Sequence, residues 1–216
     1  MELMSENNSL SFPAHKEIVR AQIERFHVYY IDYFKREETL RMVEYFFEKV
    51  YNVEGKQDWV KIAIEGFDKV KSMIKESTRD SMEELLELNY LTDRLDTMMA
   101  ELLLKKGWKG EQISREFYDS LFSELGHEED RKKQLFHVLK NMRQFYSLAH
   151  RPINSIILKP AKFMSKILGI YPLFATVEEG YHACLPVKTE IFESFYADVE
   201  KKEWNYLKER FPNINR

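Results

Sequence analysis

Three Glu-x-x-His pairs are the residues of this sequence whose spacing is best suited to chemistry. In an α-helix this spacing places a carboxylate and an imidazole on one face, as in the di-iron sites of helical bundles, where neighbouring helices add further glutamates. The candidate metal ligands are Glu24, His27, Glu48, Glu179 and His182. They raise the hypothesis of a ferritin-like metal-binding protein or oxidoreductase.

A simpler interpretation competes with this metal hypothesis. Glutamate is abundant in the sequence, and Glu and His residues at helical spacing are commonly solvated or half-buried residues of a helix face. The third pair, Glu124 and His127, straddles Gly126, which is predicted to end a helix. We therefore expect neither a metal nor a cofactor, and the metal site stays as the alternative.

A second set of residues combines acids and bases from several predicted helices. Asp93 and Asp96 share one helix face beside Arg94, so they could act as an acid–base pair or bind an arginine-bearing partner. The favoured alternative is a structural ion-pair network in which these carboxylates meet arginines of later helices. The predicted members of this polar cluster are Glu48, Tyr51, Asp93, Asp96, Arg131 and Arg151.

Residues 153–170 are the strongest candidate for a binding segment. The segment is apolar apart from three lysines, a pattern typical of a basic amphipathic helix that rests on an anionic membrane surface or covers a hydrophobic groove. A core helix whose lysines extend their amines into water has the same pattern. The residues that would carry binding are Ile156, Ile157, Lys159, Lys162, Phe163 and Lys166.

The composition argues against several classes of function. The 33 basic and 36 acidic residues give a net charge of −3, so no global field would attract nucleic acid. Cys184 is the only cysteine, which excludes an internal disulfide and suits a reducing compartment. The N-terminus lacks a secretory signal, and the apolar stretch 167–177 is far shorter than the roughly 20 residues that cross a bilayer. We expect a soluble, cytoplasmic protein.

Catalytic sequence motifs are also missing. The sequence contains no Walker loop, dinucleotide glycine fingerprint, nucleophile elbow or Cys-x-x-Cys pair. It therefore favours a protein that is not an enzyme.

The elements that must position these residues are helices. Apolar residues recur at steps of three and four, most clearly in a stripe that we call the leucine seam: Leu85, Leu88, Thr92, Leu95, Met99 and Leu102. The pattern predicts helices at 13–34, 36–51, 59–75, 81–106, 110–125 and 127–149, short helical pieces up to Pro172, and a last helix at 175–210 broken at Pro186. We expect one all-α domain over residues 1–216, a bundle of about seven to eight helices, with residues 1–12 as a flexible N-terminus.

Several segments resemble the FFLEELY-motif proteins, a group of bacterial helical proteins. Residues 44–51 (EYFFEKVY) are similar to the namesake segment, and residues 87–96 to the Leu/Asp helix of that family. Further similarities, in the same order and spacing, are at 130–134, 150–153 and 174–181. The resemblance implies a helical fold and a bacterial source, and it implies no established activity.

These observations favour a non-catalytic helical protein that binds a protein partner or an apolar ligand. Its groove would be bordered by residues 153–170, and peripheral membrane contact through the same segment is an alternative. Homodimerisation through an exposed part of the leucine seam is a further possibility. The rival interpretation is the ferritin-like metal protein.

Overall fold

The computed structural model describes residues 2–51, 65, 68, 76–151, 162–169 and 171–215. Over these residues the protein is all-α and has no β-strand, which confirms the predicted fold class. Residues 162–167 add a short helical segment. The principal elements are α1 (Glu2–Tyr29), α2 (Ile31–Phe34), α3 (Glu37–Glu44), a π-helical turn (Tyr45–Lys49), α4 (Glu76–Lys105), α5 (Arg115–Leu125), α6 (Glu128–Ala149), α7 (Tyr171–Cys184) and α8 (Thr189–Arg210).

The helices pack around one hydrophobic core. α1 packs along α4, α4 also contacts α5 and α6, and α6 contacts α7 and α8. The leucine seam faces this core, because Leu88, Leu95 and Met99 are buried. Burial of a continuous apolar stripe against neighbouring helices provides most of the stability of such helices.

The first helix differs from its prediction at both ends. It begins at Glu2 rather than near Pro13, so Pro13 lies inside the helix, where one backbone hydrogen bond is lost. It ends at Tyr29, because Tyr30 leaves the helical conformation with φ −116° and ψ 22°. The ring of Tyr30 is fully buried and stacks on Phe47 at 4.8 Å between ring centroids. This tertiary contact accompanies a break that the apolar pattern of 13–34 does not show.

Other helix boundaries show which local signals were reliable. α4 begins at Glu76 rather than at the predicted 81, so Ser81 lies within the helix. α5 begins at Arg115, and the side chain of Ser114 accepts a hydrogen bond from the backbone N–H of Phe117 at 3.2 Å. The predicted break at Pro186 is confirmed, since α7 ends at Cys184 and α8 begins at Thr189.

Two sequence predictions lie outside the described residues. The predicted helix at 59–75 and the short helical pieces at 152–161 fall largely or wholly in segments that the structure does not describe. Among the described helices, none has the length and apolar character needed to span a membrane.

Gly180 allows α7 to pack closely against the π-helical turn. The buried ring of Tyr45 occupies the space that a Cβ at position 180 would need. The hydroxyl of Tyr45 donates a hydrogen bond to the carbonyl oxygen of Thr176 at 3.1 Å, which ties the ring to α7. Glycine is therefore required at 180 by packing rather than by backbone conformation.

We predict that Gly180→Ala destabilises the protein by about 1–3 kcal/mol, because the added methyl group overlaps the Tyr45 ring. Helix propensity alone would give the opposite sign, a gain of up to about 1 kcal/mol. Urea unfolding measures the difference. Ser194→Ala, an exposed position in α8, is the control and should change stability by less than about 0.5 kcal/mol. A Gly180→Ala variant as stable as the wild type would contradict the packing argument.

Candidate functional site

A cavity of about 150 Å³ lies between α1, the π-helical turn, α4, α5, α6 and α8. Its wall is mainly aromatic and aliphatic, and several polar side chains interrupt it. Concave pockets with a mainly apolar wall and a few polar groups are typical of small-molecule sites, so the cavity is a candidate ligand site. Representative apolar lining residues are Phe26, Phe46, Phe47, Leu88, Leu135, Val138, Met142 and Phe145.

The π-helical turn and the two residues after it contribute four cavity residues, Phe46, Phe47, Val50 and Tyr51. The backbone N–H of Val50 donates to the carbonyl oxygen of Tyr45, five residues back, at 3.1 Å. This wider turn brings Phe47 onto Phe26, with ring centroids 4.5 Å apart. It is followed by Tyr51, which reaches across to α4. Short π-helical turns of this kind occur frequently at functional sites.

Tyr51 forms a buried hydrogen bond with α4. Its hydroxyl donates to Oδ2 of Asp96 at 2.8 Å, and Asp96 is only 1% exposed. Burial, and then the Asp96 carboxylate, raise the pKa of Tyr51 well above its usual value, while the charge of Arg131 opposes this shift. Tyr51 is therefore a neutral hydrogen-bond donor at physiological pH.

A short chain of hydrogen bonds joins α4 to α6 at the cavity wall. Nε2 of Gln134 donates to Oγ1 of Thr92 at 2.9 Å. Oε1 of the same amide accepts from Nη1 of Arg131 at 3.1 Å. Thr92, the polar interruption of the leucine seam, thus connects through Gln134 to a buried guanidinium.

Arg131 is the most unusual charged residue of this site. It is 4% exposed, its guanidinium lies 4.3 Å from the centre of the Phe122 ring, and Nη2 donates to the sulfur of Met99 at 3.1 Å. It forms no ion pair with any carboxylate among the residues that the structure describes. Its Nε has no hydrogen-bond partner there. A buried cation without an ion pair is costly.

Arg25, on the same wall, shows how the fold neutralises a buried cation. Its guanidinium donates to both carboxylate oxygens of Glu203, at 3.1 Å and 2.8 Å, and lies 4.1 Å from the centre of the Tyr206 ring. Glu203 also accepts a hydrogen bond from the hydroxyl of Tyr30 at 2.7 Å. A bidentate pair with a further donor satisfies both charges.

The structure separates the predicted polar cluster into several places. Tyr51 and Asp96 meet, and Arg131 lies at the same cavity. Three other members lie elsewhere: Oε1 of Glu48 is 2.7 Å from Nε2 of His27, Oδ1 of Asp93 is 3.9 Å from Nε2 of His15, and Arg151 is exposed beyond the end of α6. Asp93 and Asp96 therefore do not act as one carboxylate pair facing the cavity.

The candidate metal ligands are engaged in other contacts. His27 pairs with Glu48, Glu24 with Arg20 at 2.6 Å, and Glu179 with Lys49. His182 is exposed. Within the described ranges, no group of three or more His, Cys, Asp or Glu residues could hold a metal ion. The metal hypothesis receives no support from this geometry.

The predicted binding segment is described only in part. Ile156, Ile157 and Lys159 lie outside the described residues. Phe163 is 66% exposed, whereas the amine of Lys162 lies 2.7 Å from Oε2 of Glu178. The amine of Lys166 lies 5.1 Å from the centre of the Tyr171 ring.

Several cavity residues were not predicted as site residues from the sequence. Arg25 and Glu203 come from the first and last long helices, and no sequence pattern joins them. Thr92 did carry a signal, because a polar residue inside an otherwise apolar seam marks a place where a hydrogen-bond partner must be buried with it.

The fold and the cavity define this protein as an all-α helical bundle with a mainly apolar pocket between its helices, which carries polar groups at its wall. The chain belongs to the family described as "Domain of unknown function (DUF8198)", whose family model matches residues 4–213. No curated protein and no solved structure matches the chain.

We predict that Tyr51→Phe destabilises the protein by about 1.5–3 kcal/mol, because the buried Asp96 carboxylate loses a donor. In an Asp96→Asn background the cost should fall by about 1 kcal/mol, since the acceptor is no longer charged. Chemical unfolding of the two single variants and the double variant measures this coupling. Tyr90→Phe, 71% exposed on α4, is the control. Equal costs in both backgrounds would show that the charge of Asp96 does not strengthen this hydrogen bond.

Proposed function

We propose that this protein binds a small apolar molecule inside its helical bundle and does not catalyse a reaction. The observation that carries the proposal is the cavity of about 150 Å³ lined by Phe26, Phe46, Phe47 and Phe145. A void of about this size among apolar side chains accommodates a molecule comparable to benzene or somewhat larger. The aromatic wall favours a ligand that contains a ring, through edge and offset contacts.

The chemistry of the polar groups supports binding rather than catalysis. Tyr51 is held as a neutral donor to Asp96, and Thr92 and Gln134 are bonded to one another. Burial raises the pKa of the Cys184 thiol to about 12, so this side chain is not a thiolate nucleophile at physiological pH. Of these side chains, Tyr51, Thr92 and Gln134 line the cavity, where such neutral polar groups are suited to orienting a ligand.

We expect propylbenzene to bind the wild-type protein with one saturable site, as measured by isothermal titration calorimetry. Val138→Phe adds a ring to the cavity wall and should weaken this binding at least about tenfold. Ser147→Phe adds the same ring at an exposed position of the same helix and should leave binding unchanged.

Two results would contradict the cavity proposal. The wild type could show no saturable binding of propylbenzene, or Val138→Phe could bind as tightly as the wild type while remaining folded by circular dichroism. Either result would mean that the cavity is a packing void without a binding role.

We also propose where this protein works and from what kind of organism it comes. Cys184 is a free, buried cysteine, which fits a reducing compartment, so we propose a cytoplasmic location. The resemblance of residues 44–51 to the FFLEELY-motif proteins supports a bacterial source. The leucine seam is covered by helices of the same chain, so the proposal does not depend on a second copy docking there.

Residues 162–169 support a second candidate function, contact with an anionic membrane surface. Phe163 and Ile167 are one helical turn apart and are 66% and 62% exposed. Lys162 and Lys166 lie in the same segment. Exposed apolar side chains beside lysines match the composition of an interfacial helix.

For this second candidate, we expect the wild type to sediment with vesicles of phosphatidylglycerol and phosphatidylcholine. The Phe163→Ser/Ile167→Ser double variant should lose most of this binding, because the inserted apolar area is removed. Leu185→Ser, 44% exposed outside the segment, is the control. A wild-type protein that stays in the supernatant would exclude the membrane function.

A further inference from the structure

Among the described residues that line the cavity, Arg131 is the cation that forms no ion pair with a carboxylate. The two arginines of this wall differ in this respect: Arg25 has both oxygens of Glu203, whereas Arg131 has an amide oxygen and a thioether sulfur. A thioether is a weak acceptor. The guanidinium therefore has donor capacity that its neighbours do not use.

The remaining surroundings of Arg131 do not change this conclusion. Phe122 stacks beneath the guanidinium and offers a favourable ring face, but no charge. The negative charge of Asp96 raises the pKa of Tyr51 and of Tyr118, whereas the positive charge of Arg131 lowers both. Asp96 therefore offsets part of the charge of Arg131 through space. Its Oδ2 already accepts the hydroxyl of Tyr51. The Nε–H of Arg131 thus remains a donor that a ligand in the cavity can satisfy.

A carboxylate fits this position best. The guanidinium presents a rigid fork of donors that matches two carboxylate oxygens, and such a charge-assisted pair is stronger at a buried side chain such as Arg131 than at the surface. Gln134 and Thr92 already fix one side of the guanidinium, which preorganises it for an anion. The apolar wall next to it receives the rest of the molecule.

We propose that the ligand of this cavity is an amphipathic acid, a compact apolar or aromatic body with a carboxylate that pairs with Arg131. This inference rests on the proposed apolar pocket and adds the chemical class of its ligand. The apolar body fills the space lined by phenylalanines, and the acid group neutralises the buried cation. Specificity for an acid over a neutral analogue then comes from Arg131.

The test compares two probes with the same phenylpropyl body. 3-Phenylpropanoate should bind the wild type about tenfold or more tightly than 3-phenylpropan-1-ol, because its acid group forms a charge-assisted bond. In Arg131→Met the acid should bind no better than the alcohol, because the group that distinguishes them is removed. Arg143→Met is the matched control, an exposed arginine of the same helix that pairs with Glu193, and it should keep the preference for the acid.

The outcomes separate this inference from the proposed function. If propylbenzene binds the wild type but the acid binds no more tightly than the alcohol, the pocket stands and the acidic ligand is excluded. This comparison uses the wild type alone, so it remains decisive even if Arg131→Met does not fold. If a folded Arg131→Met variant keeps the preference for the acid, the anion binds elsewhere and the role of Arg131 is excluded.

Discussion

The backbone hydrogen bond from Val50 to Tyr45 determines how the interior of this bundle is arranged. By closing a wider turn than an α-helix, it places the rings of residues 45–47 and then Tyr51 on the faces where α1, α4 and α7 receive them. Phe47 stacks between Phe26 and Tyr30, at 4.5 Å and 4.8 Å between ring centroids. Phe26 and Phe47 line the cavity, so this part of its wall depends on the backbone of the π-helical turn.

The second constraint is the cost of burying charge. A buried ion requires an opposite charge and well-aligned hydrogen bonds, and the protein meets this requirement for Arg25 through Glu203 and the hydroxyl of Tyr30. Arg131 is stabilised by weaker contacts with Phe122, Met99 and Gln134. The contrast between two arginines of one cavity distinguishes a structural cation from one that is suited to receiving an anion.

The regular spacing of apolar residues predicted the helical segments whose formation depends on residues close in the sequence. The leucine seam and the break at Pro186 were predicted because each depends on neighbours in the chain, whereas the helix predicted to begin at 110 begins only at Arg115. The break at Tyr30 and the π-helical turn were not predicted, since both accompany contacts with residues far away, such as Glu203 and Thr176. The same holds for the site: Tyr51 and Asp96 were grouped in advance, whereas Arg25 and Glu203 were not.

The sequence by itself determined that this chain forms helices, which faces of them are apolar, and that Thr92 interrupts a buried stripe. These are local properties, set by side-chain chemistry at steps of three and four residues. Only the tertiary structure decided which charges are paired, that Glu48 turns to His27 rather than to Tyr51, and that a cavity lies beside Arg131. Pairing and voids depend on the distances between helices, and these follow from how whole side-chain surfaces pack together.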